Sequence, residues 1–519
     1  MSRYRQFPAL LALLLAPLAA EAATDPLPLY LQYCASCHGA DRLGAVGPAL
    51  LPDNLGRLKP AQAEQVIAAG RPATEMKGFA DLLSPDQIKA LAAYVFSPPD
   101  SEPAWGMAEI AASHKVDARA SALPARPPFA SDPLNLFLVV EAGDHHVTIL
   151  DGDRMVPLYR VPSRFALHGG AKFSPDGRFV YLMSRDGWVS KLDMWTGTLM
   201  AEVRAGINSR NIAVSGDGRF VLVGNLLPDS LVVLDAADLA PLEVIPVAGP
   251  HGERSRVSAV YTAPPRKSFI VALKDAREIW EIPYTADHEP IYRGAVHSYE
   301  AGMAEGLADK RRFPVRRIET ANVLDDFFFD PGYRNIIAAS RDGASGEVIN
   351  LVTGQRIASL PLSGMPHLGS GITFTWHGRP VFATPDLKEA AVSVIAMDDW
   401  SLIKRIPTCG AGFFLRGHET SPYVWVDCSL GKARDSIQVI DTRSLEVVRT
   451  LRPEPGKTAA HVEFTRDGRY ALVSIMEDDG ALVVYDAATF AEIKRIPMRH
   501  PVGKYNVFNK ITYSAGTSH

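Results

Sequence analysis

Two cysteines and a histidine lie within five consecutive residues near the start of the 519-residue chain. Cys34, Cys37 and His38 form the pattern C-A-S-C-H. At this spacing the two thiols can add to the vinyl groups of a haem, and the histidine that follows can ligate its iron. A thioredoxin-like redox pair would sit in a βαβ unit, which the surrounding sequence does not suggest, and it needs no histidine directly after it. The motif therefore predicts a covalently attached c-type haem.

A methionine ahead of a predicted helix is the expected second axial ligand. Met76 lies in T-E-M-K-G-F, and L-S-P-D-Q-I-K-A-L-A-A-Y-V follows it. There Ser84 suits an N-cap, the proline after it suits the first turn, and apolar residues recur at the spacing of one helical face. Met107 is a weaker alternative ligand, and Met76 could instead only pack against the haem edge. We expect a small all-α cytochrome c domain over residues 24–100 and a proline-rich linker over residues 101–130.

The long remainder, residues 131–519, repeats with a period of about 42 to 48 residues. Apolar strands end in Leu-Asp or a close relative at Asp151, Asp193, Asp235, Asp441 and Asp486. D-G pairs, as in F-S-P-D-G-R-F-V-Y, mark tight turns between strands of alternating pattern. Four short strands per unit at this period predict an all-β propeller. The units count to eight blades, with an irregular insertion near residues 285–320, and seven blades stay open.

Three histidines stand at the openings of predicted blades. His168 lies in F-A-L-H-G-G, His367 in G-M-P-H-L-G-S-G and His461 in A-A-H-V-E-F. A single histidine at such a position is more often structural. Three at equivalent points of different blades could converge at one mouth of the channel, where the loops of a propeller carry its chemistry.

The first 23 residues have the features of a signal peptide. They contain two arginines, a short apolar run and small residues before a plausible cleavage point. The apolar run is shorter than the roughly 18–20 residues that a membrane span needs, as is every later stretch. We therefore expect a periplasmic protein without a membrane span, and a net charge of −4 gives no basic field for nucleic acid. Cys409 and Cys428 could form a disulfide in that compartment or remain buried free thiols.

A haem c domain, a proline-rich linker and an eight-bladed propeller with histidines at its mouth resemble the cytochrome cd1 family over nearly the whole chain. In that family the propeller binds haem d1 non-covalently, and the haem c domain exchanges electrons with it. The resemblance implies that His168 is the proximal ligand of the d1 iron and that His367 matches one of two distal histidines of the nitrite reductases. At the other distal position this chain offers Asp325 or Asp326, and it has His461 where a reductase lacks a histidine.

That departure favours a second branch of the family, because removing an oxygen of nitrite as water needs protons on the distal face. This branch converts dihydro-haem d1 to haem d1, the last step of haem d1 biosynthesis, and the C-terminal P-V-G-K-Y-N-V-F-N-K resembles it in particular. One saturated propionate becomes an acrylate with loss of two electrons and two protons. His367 or His461 is the expected proton acceptor, with Tyr505 assisting or ligating. A cytochrome cd1 nitrite reductase with a rearranged pocket and a non-enzymatic haem d1 carrier are the alternatives.

The resemblance also implies cations around the ring carboxylates and a set of partners. Arg185 and Arg210 match family positions that hold the ring, and Arg256 and Lys274 are weaker candidates; for each, a surface salt bridge is the alternative. Haem c would pass electrons one at a time to a small periplasmic cytochrome or copper protein. Other haem d1 maturation proteins and the nitrite reductase are further expected partners.

Overall fold

The computed structural model describes residues 25–45, 47–56, 58–71, 76–118, 122–167, 170–293, 299–300, 303–304, 307–340, 346–362 and 364–512. Two compact units divide the chain, with the boundary between Pro98 and Pro99. The predicted signal peptide lies outside the described residues. Among the helices of the described residues, none combines the length and the apolar character required to cross a bilayer.

In its described residues, the N-terminal unit is built from four helices around one apolar core. They are α1 (Pro26–Tyr33), α2 (Ala35–His38), α3 (Pro60–Ala69) and α4 (Pro85–Val95). Helix α4 packs against α1 and α3, and Tyr30, Ile67 and Leu91 meet between them. The buried guanidinium of Arg42 donates to the carbonyl of Tyr94 at 2.6 Å and so ties the end of α4 to the segment after α2. The predicted all-α fold of this unit is confirmed.

Helix α4 begins where its sequence predicts. The Ser84 hydroxyl accepts a hydrogen bond from the backbone N–H of Gln87 at 3.3 Å, and the N–H of Ser84 donates to the Gln87 side chain at 2.8 Å. This reciprocal pair satisfies two backbone donors that the first helical turn leaves free. Ile88, Leu91 and Val95 are buried along one face. Local sequence thus determines both the start of this helix and the face that it buries.

The second unit contains α5 (Met107–Ser113), α6 (Val507–Thr512) and the strands of the propeller. The first nineteen strands are β1 (Lys115–Val116), β2 (Leu136–Glu141), β3 (His146–Asp151), β4 (Val156–Pro162), β5 (Lys172–Phe173), β6 (Phe179–Met183), β7 (Trp188–Asp193), β8 (Thr198–Arg204), β9 (Asn208–Val214), β10 (Phe220–Leu227), β11 (Ser230–Asp235), β12 (Pro241–Pro246), β13 (Val257–Ala263), β14 (Ser268–Leu273), β15 (Glu278–Pro283), β16 (Tyr292–Arg293), β17 (Tyr299–Glu300), β18 (Met303–Ala304) and β19 (Leu307–Ala308). The others are β20 (Arg316–Glu319), β21 (Leu324–Phe329), β22 (Asn335–Ser340), β23 (Gly346–Asn350), β24 (Gln355–Leu360), β25 (Ile372–Trp376), β26 (Arg379–Pro385), β27 (Ala391–Ala396), β28 (Leu402–Pro407), β29 (Leu415–Gly417), β30 (Tyr423–Asp427), β31 (Ile437–Asp441), β32 (Glu446–Leu451), β33 (Ala459–Phe464), β34 (Tyr470–Ile475), β35 (Gly480–Asp486), β36 (Glu492–Met498) and β37 (Pro501–Asn506).

In the described part of the chain these strands form eight antiparallel blades, which confirms the higher of the two predicted counts. Blade 1 has the order β37-β2-β3-β4, so the last strand of the chain pairs with the first strand of the ring. Blade 2 is β5–β8 with β1 added at its outer edge, blade 3 is β9–β12, and blade 4 is β13–β15 with β20. Blades 5 to 8 are β21–β24, β25–β28, β29–β32 and β33–β36. The predicted insertion contributes two short hairpins, β16 with β19 and β17 with β18.

The repeated aspartates and glycines close the turns of the blades. The carboxylate of Asp235 accepts the N–H of Ala237 at 2.8 Å, and Asp441 does the same for Arg443. In the D-G turns, Gly177, Gly218 and Gly468 have φ values of 74°, 71° and 71°. A side chain is strained in this left-handed region, which explains why glycine recurs there. The repeat in the sequence therefore encodes turn chemistry.

The segment expected to be a linker instead contributes to the second unit. Helix α5 packs against β8 and β12, and β1 pairs with β8. Ile110 of α5 is fully buried in the core between blades 2 and 3, and the Trp105 indole donates to the carbonyl of Arg204 at 2.9 Å. The contacts of Trp105 and Ile110 therefore hold this proline-rich segment against the propeller.

A disulfide joins Cys409 and Cys428 in blade 7. It ties the loop before β29 to the loop after β30, across 19 residues of sequence. Of the two states left open by the sequence, the structure therefore contains the paired one.

Candidate functional site

The C-A-S-C-H motif occupies one helical turn in the N-terminal unit. No disulfide joins Cys34 and Cys37, and His38 is 8% exposed. The Nδ1 atom of His38 lies 2.8 Å from the carbonyl oxygen of Pro48. Because a carbonyl oxygen can only accept, Nδ1 carries the proton and Nε2 keeps its lone pair. Burial also lowers the pKa of His38, which favours the neutral ring.

The surroundings of this motif fit the attachment of a c-type haem. A Cβ on Gly47 would lie 2.8 Å from Cε1 of His38, so the chain holds the imidazole edge at a contact that only glycine allows. Met76 is partly exposed, and its carbonyl accepts the N–H of Arg71 at 3.0 Å. Its ligation of the iron stays a prediction.

In the second unit, aromatic and imidazole rings from successive blades contact one another. The His367 ring precedes β25 and meets Phe413 at 5.5 Å between centroids. Phe414, which precedes β29, lies 4.5 Å from His461 on β33. The His461 ring in turn lies 5.2 Å from Tyr505 on the closing strand β37. We call these five residues the channel cluster, and it brings together the three residues that the sequence suggested for catalysis.

His367 is oriented by the backbone of the next blade. Its Nδ1 atom lies 2.6 Å from the carbonyl oxygen of Phe413. As for any imidazole nitrogen facing a carbonyl, Nδ1 must be the protonated one, so the lone pair of the neutral ring is on Nε2. Burial lowers the pKa of His367, and the Asp326 carboxylate opposes this effect. The ring is thus a neutral base with its acceptor nitrogen fixed by the fold.

His461 has the opposite arrangement. The backbone N–H of Lys504 donates to its Nδ1 atom at 3.4 Å, so in the neutral ring the proton is on Nε2. The residue is 2% exposed and has a φ of 53° at an irregularity in the pairing of β33 with β34. Burial and then the cations Lys504, Arg416 and Lys510 hold the pKa of His461 well below its ordinary value. A left-handed histidine within a strand is a local strain of the kind that accumulates at functional sites.

Tyr505 stands beside His461 as a neutral phenol. Burial raises the pKa of Tyr505 to about 12. The ammonium of Lys510 lies 5.2 Å from the centre of its ring. The hydroxyl therefore remains a hydrogen-bond donor throughout the neutral range.

The two aspartates at the second distal position differ in their contacts. Asp326 accepts hydrogen bonds from the Tyr261 hydroxyl at 2.8 Å, from its neighbour's N–H at 2.9 Å and from the N–H of Gly369 at 2.8 Å. Asp325 instead lies 3.5 Å from the ammonium of Lys274. Asp326 thereby connects blade 4 to the loop that carries His367.

The arginines suggested for the ring lie near one another, Arg185 in the turn between β6 and β7 of blade 2 and Arg210 in β9 of blade 3. The backbone N–H of Arg185 donates to Ala166 at 3.1 Å, and its carbonyl accepts from Ser209, the residue before Arg210. The Arg210 guanidinium donates to the carbonyl of Ser258 at 3.1 Å. His168, which follows Leu167, lies outside the described residues. The segment leading to it is nevertheless held against Arg185, because Leu167 bridges to Ser184.

The two weaker cation candidates have ionic partners in their own surroundings. The Arg256 guanidinium forms a bidentate ion pair with the Asp275 carboxylate, with hydrogen bonds of 2.7 and 2.8 Å. Lys274 forms an ion pair with Asp325. The salt-bridge alternative therefore describes Arg256 and Lys274 better than a ring-binding role.

A cavity of about 470 Å³ opens elsewhere in the propeller. It lies toward the carboxyl ends of β5, β9, β13 and β21, and Lys172, Tyr261 and Lys510 are in its wall. None of His367, His461 and Tyr505 lines it.

Three buried charged residues of the channel escaped the sequence reasoning. Arg416 lies in β29, Glu463 in β33 and Lys504 in β37, at 1%, 1% and 0% exposure. The Lys504 ammonium donates to the carbonyl of His461 and, at 2.9 Å, to the hydroxyl of Ser474. Each charged residue interrupts a run of apolar or small residues, as in F-F-L-R-G. A charged residue within a predicted buried strand is the signal that could have identified them.

Comparisons with known proteins agree with this architecture. The cytochrome D1 heme domain family matches residues 131–510, and subunit III of cbb3-type cytochrome C oxidase matches residues 21–95. The dihydro-heme d1 dehydrogenase of Pseudomonas aeruginosa is 55% identical over 98% of this chain and 99% of its own length. The nitrite reductase of Stutzerimonas stutzeri is 24% identical over 93% of this chain and 92% of its own.

A solved structure gives the same answer. It is that of dihydro-heme d1 dehydrogenase NirN in complex with DHE, with a TM-score of 0.87, 55% identity, and coverage of 94% of this chain and 100% of that chain. The family match covers residues 131–510, and the identity to the dehydrogenase extends over nearly the full length of the chain. Both findings place the chain in the same family. The chain belongs to the cytochrome D1 heme domain family, the cytochrome cd1 family that its sequence resembles.

Proposed function

We propose that this protein oxidises dihydro-haem d1 to haem d1 in the periplasm. One propionate side chain, –CH₂–CH₂–COO⁻, becomes –CH=CH–COO⁻ and releases two protons and two electrons. The observation that carries the proposal is the channel cluster, found in a chain that is 55% identical over both units to a dihydro-heme d1 dehydrogenase. The protein must supply a base near the reacting carbons, groups that hold the carboxylates, and an exit for electrons.

His367 is the base in this proposal. Its Nε2 atom has the lone pair because Nδ1 donates to Phe413. A base must be neutral at the working pH, and burial of His367 favours the neutral ring. Because the two electrons leave singly, the two protons can leave singly through the same nitrogen.

His461 and Tyr505 act as donors and orient the substrate. In the neutral state His461 offers Nε2–H, since Nδ1 accepts from Lys504. The Tyr505 hydroxyl is a second donor nearby. This division of roles favours His367 over His461 as the proton acceptor, a choice that the sequence left open.

Cys34, Cys37 and His38 would hold haem c, with Met76 as the second axial ligand. When bound, that haem would accept electrons one at a time and deliver them to a small periplasmic cytochrome or copper protein. His38 supplies a lone pair directed by its hydrogen bond to Pro48. In the propeller, His168 would ligate the iron of the substrate, and Arg185 and Arg210 would pair with ring carboxylates.

Nitrite reduction fits the channel less well. The position that holds a second distal histidine in the reductases has Asp326, whose oxygens accept three hydrogen bonds. A carboxylate engaged in this way is a poor proton donor to nitrite. A carrier without activity would need no haem c motif, so it explains less of the chain.

The direct test is conversion of the substrate. The purified protein, containing haem c, is mixed with dihydro-haem d1, and the conversion to haem d1 and the reduction of haem c are followed by their absorption spectra. We expect both to proceed together in the wild type and to be abolished or slowed by His367→Gln. His377→Gln, at an exposed hairpin turn, is the matched control and should convert normally. Binding without conversion in the wild type would support a carrier and contradict the proposal.

A further inference from the structure

Arg416 is a buried cation whose hydrogen bonds are incomplete. It is 1% exposed, and its Nη1 atom donates to the carbonyl of Leu415 at 3.1 Å. Among the described residues, its Nε and Nη2 atoms have no partner. Desolvating a guanidinium without a counter-ion is strongly unfavourable, so such a group is retained where something compensates for it.

The anions near Arg416 are engaged elsewhere. Asp427 accepts from the backbone N–H groups of Phe413 and Phe414 at 3.1 and 2.6 Å. One oxygen of Glu463 accepts from Asn509 at 2.9 Å and from the adjacent backbone N–H. The other oxygen of Glu463 also lacks a partner, yet in the described residues no ion pair joins it to Arg416.

The side chains around Arg416 include further basic groups. Lys172, Lys504 and Lys510 interact electrostatically with Arg416, and burial lowers the pKa of each of these lysines. The carboxylates near the guanidinium are Glu463 and Asp427. An additional anion would complete the hydrogen bonding of the Nε–Nη2 edge, which these two carboxylates leave without a partner.

The geometry of the free atoms indicates which kind of anion. Nε–H and Nη2–H lie on the same edge of the guanidinium and point in parallel, which matches the two oxygens of a carboxylate. The same segment holds both imidazoles, because the Phe413 carbonyl orients His367 and the Phe414 ring packs on His461. Arg416 follows Phe414 by two residues and interacts electrostatically with both imidazoles, so a carboxylate on this edge would lie in their neighbourhood.

We propose that the Nε–Nη2 edge of Arg416 binds the carboxylate of the substrate side chain that is oxidised. This inference rests on the proposed function. When the carbon next to the carboxylate loses a proton, negative charge develops there and the carboxylate repels it. Pairing of the carboxylate with Arg416 offsets this repulsion. Arg416 is thus a substrate-binding residue that fixes the reacting carbons next to His367.

The test compares Arg416→Gln with a matched arginine outside the channel. Arg178 forms an ion pair with Asp193 on the second blade, and its side chain is 17% exposed. Titration of each holoprotein with dihydro-haem d1, with haem c reduced beforehand and no other electron acceptor present, should show affinity weakened roughly 10- to 150-fold by Arg416→Gln and unchanged by Arg178→Gln. Arg416→Lys keeps the positive charge but cannot form a bidentate pair, so its affinity for dihydro-haem d1 should lie between those of the wild type and Arg416→Gln.

Thermal unfolding of the substrate-free holoproteins separates binding from a structural role. Arg416→Gln removes an uncompensated buried charge, so its Tm should stay equal to or rise above the wild type. Arg178→Gln breaks a pair and should lower the Tm. If Arg416→Gln lowers the Tm and leaves the affinity intact, Arg416 pairs with Glu463 and the inference is overturned.

Two ligand arms identify the source of the carboxylate. The methyl ester of dihydro-haem d1 should bind the wild type and Arg416→Gln within about twofold of each other, because the anion is gone. If acetate alone raises the Tm of the wild type but not of the variant, while acid and ester bind equally, a free carboxylate occupies the site and the assignment to the substrate fails. If the wild type does not convert dihydro-haem d1 at all, it is the proposed function that fails.

Discussion

The two units of this protein build their sites in different ways. In the N-terminal unit, the two thiols and the imidazole come from five consecutive residues and are arranged by one helical turn. In the propeller, His367, Phe414, His461 and Tyr505 come from four blades and meet only because the ring closes. A local motif is complete once a helix forms, whereas the channel cluster depends on the register of many strands.

The largest expected effect tests whether the first site is local. Replacing Cys34 and Cys37 by serine should abolish covalent haem and turnover, because electrons then have no exit. Binding of dihydro-haem d1 by the propeller should persist. Haem staining after denaturing electrophoresis and titration with the substrate measure the two effects, and Ser36→Ala should retain the haem. Loss of substrate binding in the double variant would mean that the sites are not independent.

The next effect concerns the assembled site. His367→Gln should lower turnover about 10²- to 10⁴-fold, the usual contribution of a general base, without altering the haem c spectrum. In the wild type, burial lowers the pKa of His367 from the ordinary value of an imidazole. The base form therefore persists to lower pH than in a free imidazole, and the midpoint of the fall in kcat/KM with decreasing pH should lie below the ordinary histidine pKa of about 6.5. A midpoint above that value would contradict the assignment.

A smaller effect distinguishes the stability of the two units. Replacing Cys409 and Cys428 by serine releases a loop of 19 residues and should lower the free energy of unfolding of the propeller by about 3 kcal/mol. Thermal unfolding followed by circular dichroism measures it. The haem c absorbance should keep its own transition, and a matching shift there would indicate that the units unfold together.

The smallest effect is in the N-terminal unit. Ser84→Ala removes the hydroxyl that accepts from Gln87 and should cost about 1 kcal/mol of stability. Denaturant unfolding followed by haem c absorbance measures it. Lys89→Ala, on the exposed face of the same helix, is the control and should change stability by no more than about 0.5 kcal/mol.

The contrast between a local motif and a site assembled from several blades also determines how much the sequence predicts. The haem motif, the start of α4 and the blade count depend on short-range patterns, so they were predictable. His367, His461 and Tyr505 were suggested by position and resemblance, but the tautomers that separate their roles depend on Phe413 and Lys504. Arg416 was missed because its significance lies in contacts that it lacks, and a sequence shows no contacts. Helix α5 was missed because prolines masked the apolar Trp105 and Ile110.

The closing strand has a consequence for how the protein is made. Tyr505 and Lys504 are on β37, which completes blade 1 by pairing with β2 some 365 residues earlier. A chain that stops before β37 would therefore lack both residues and the strand that closes the ring. We expect such truncated products to bind the tetrapyrrole less tightly than the full chain, so binding of the pigment would report that the ring has closed.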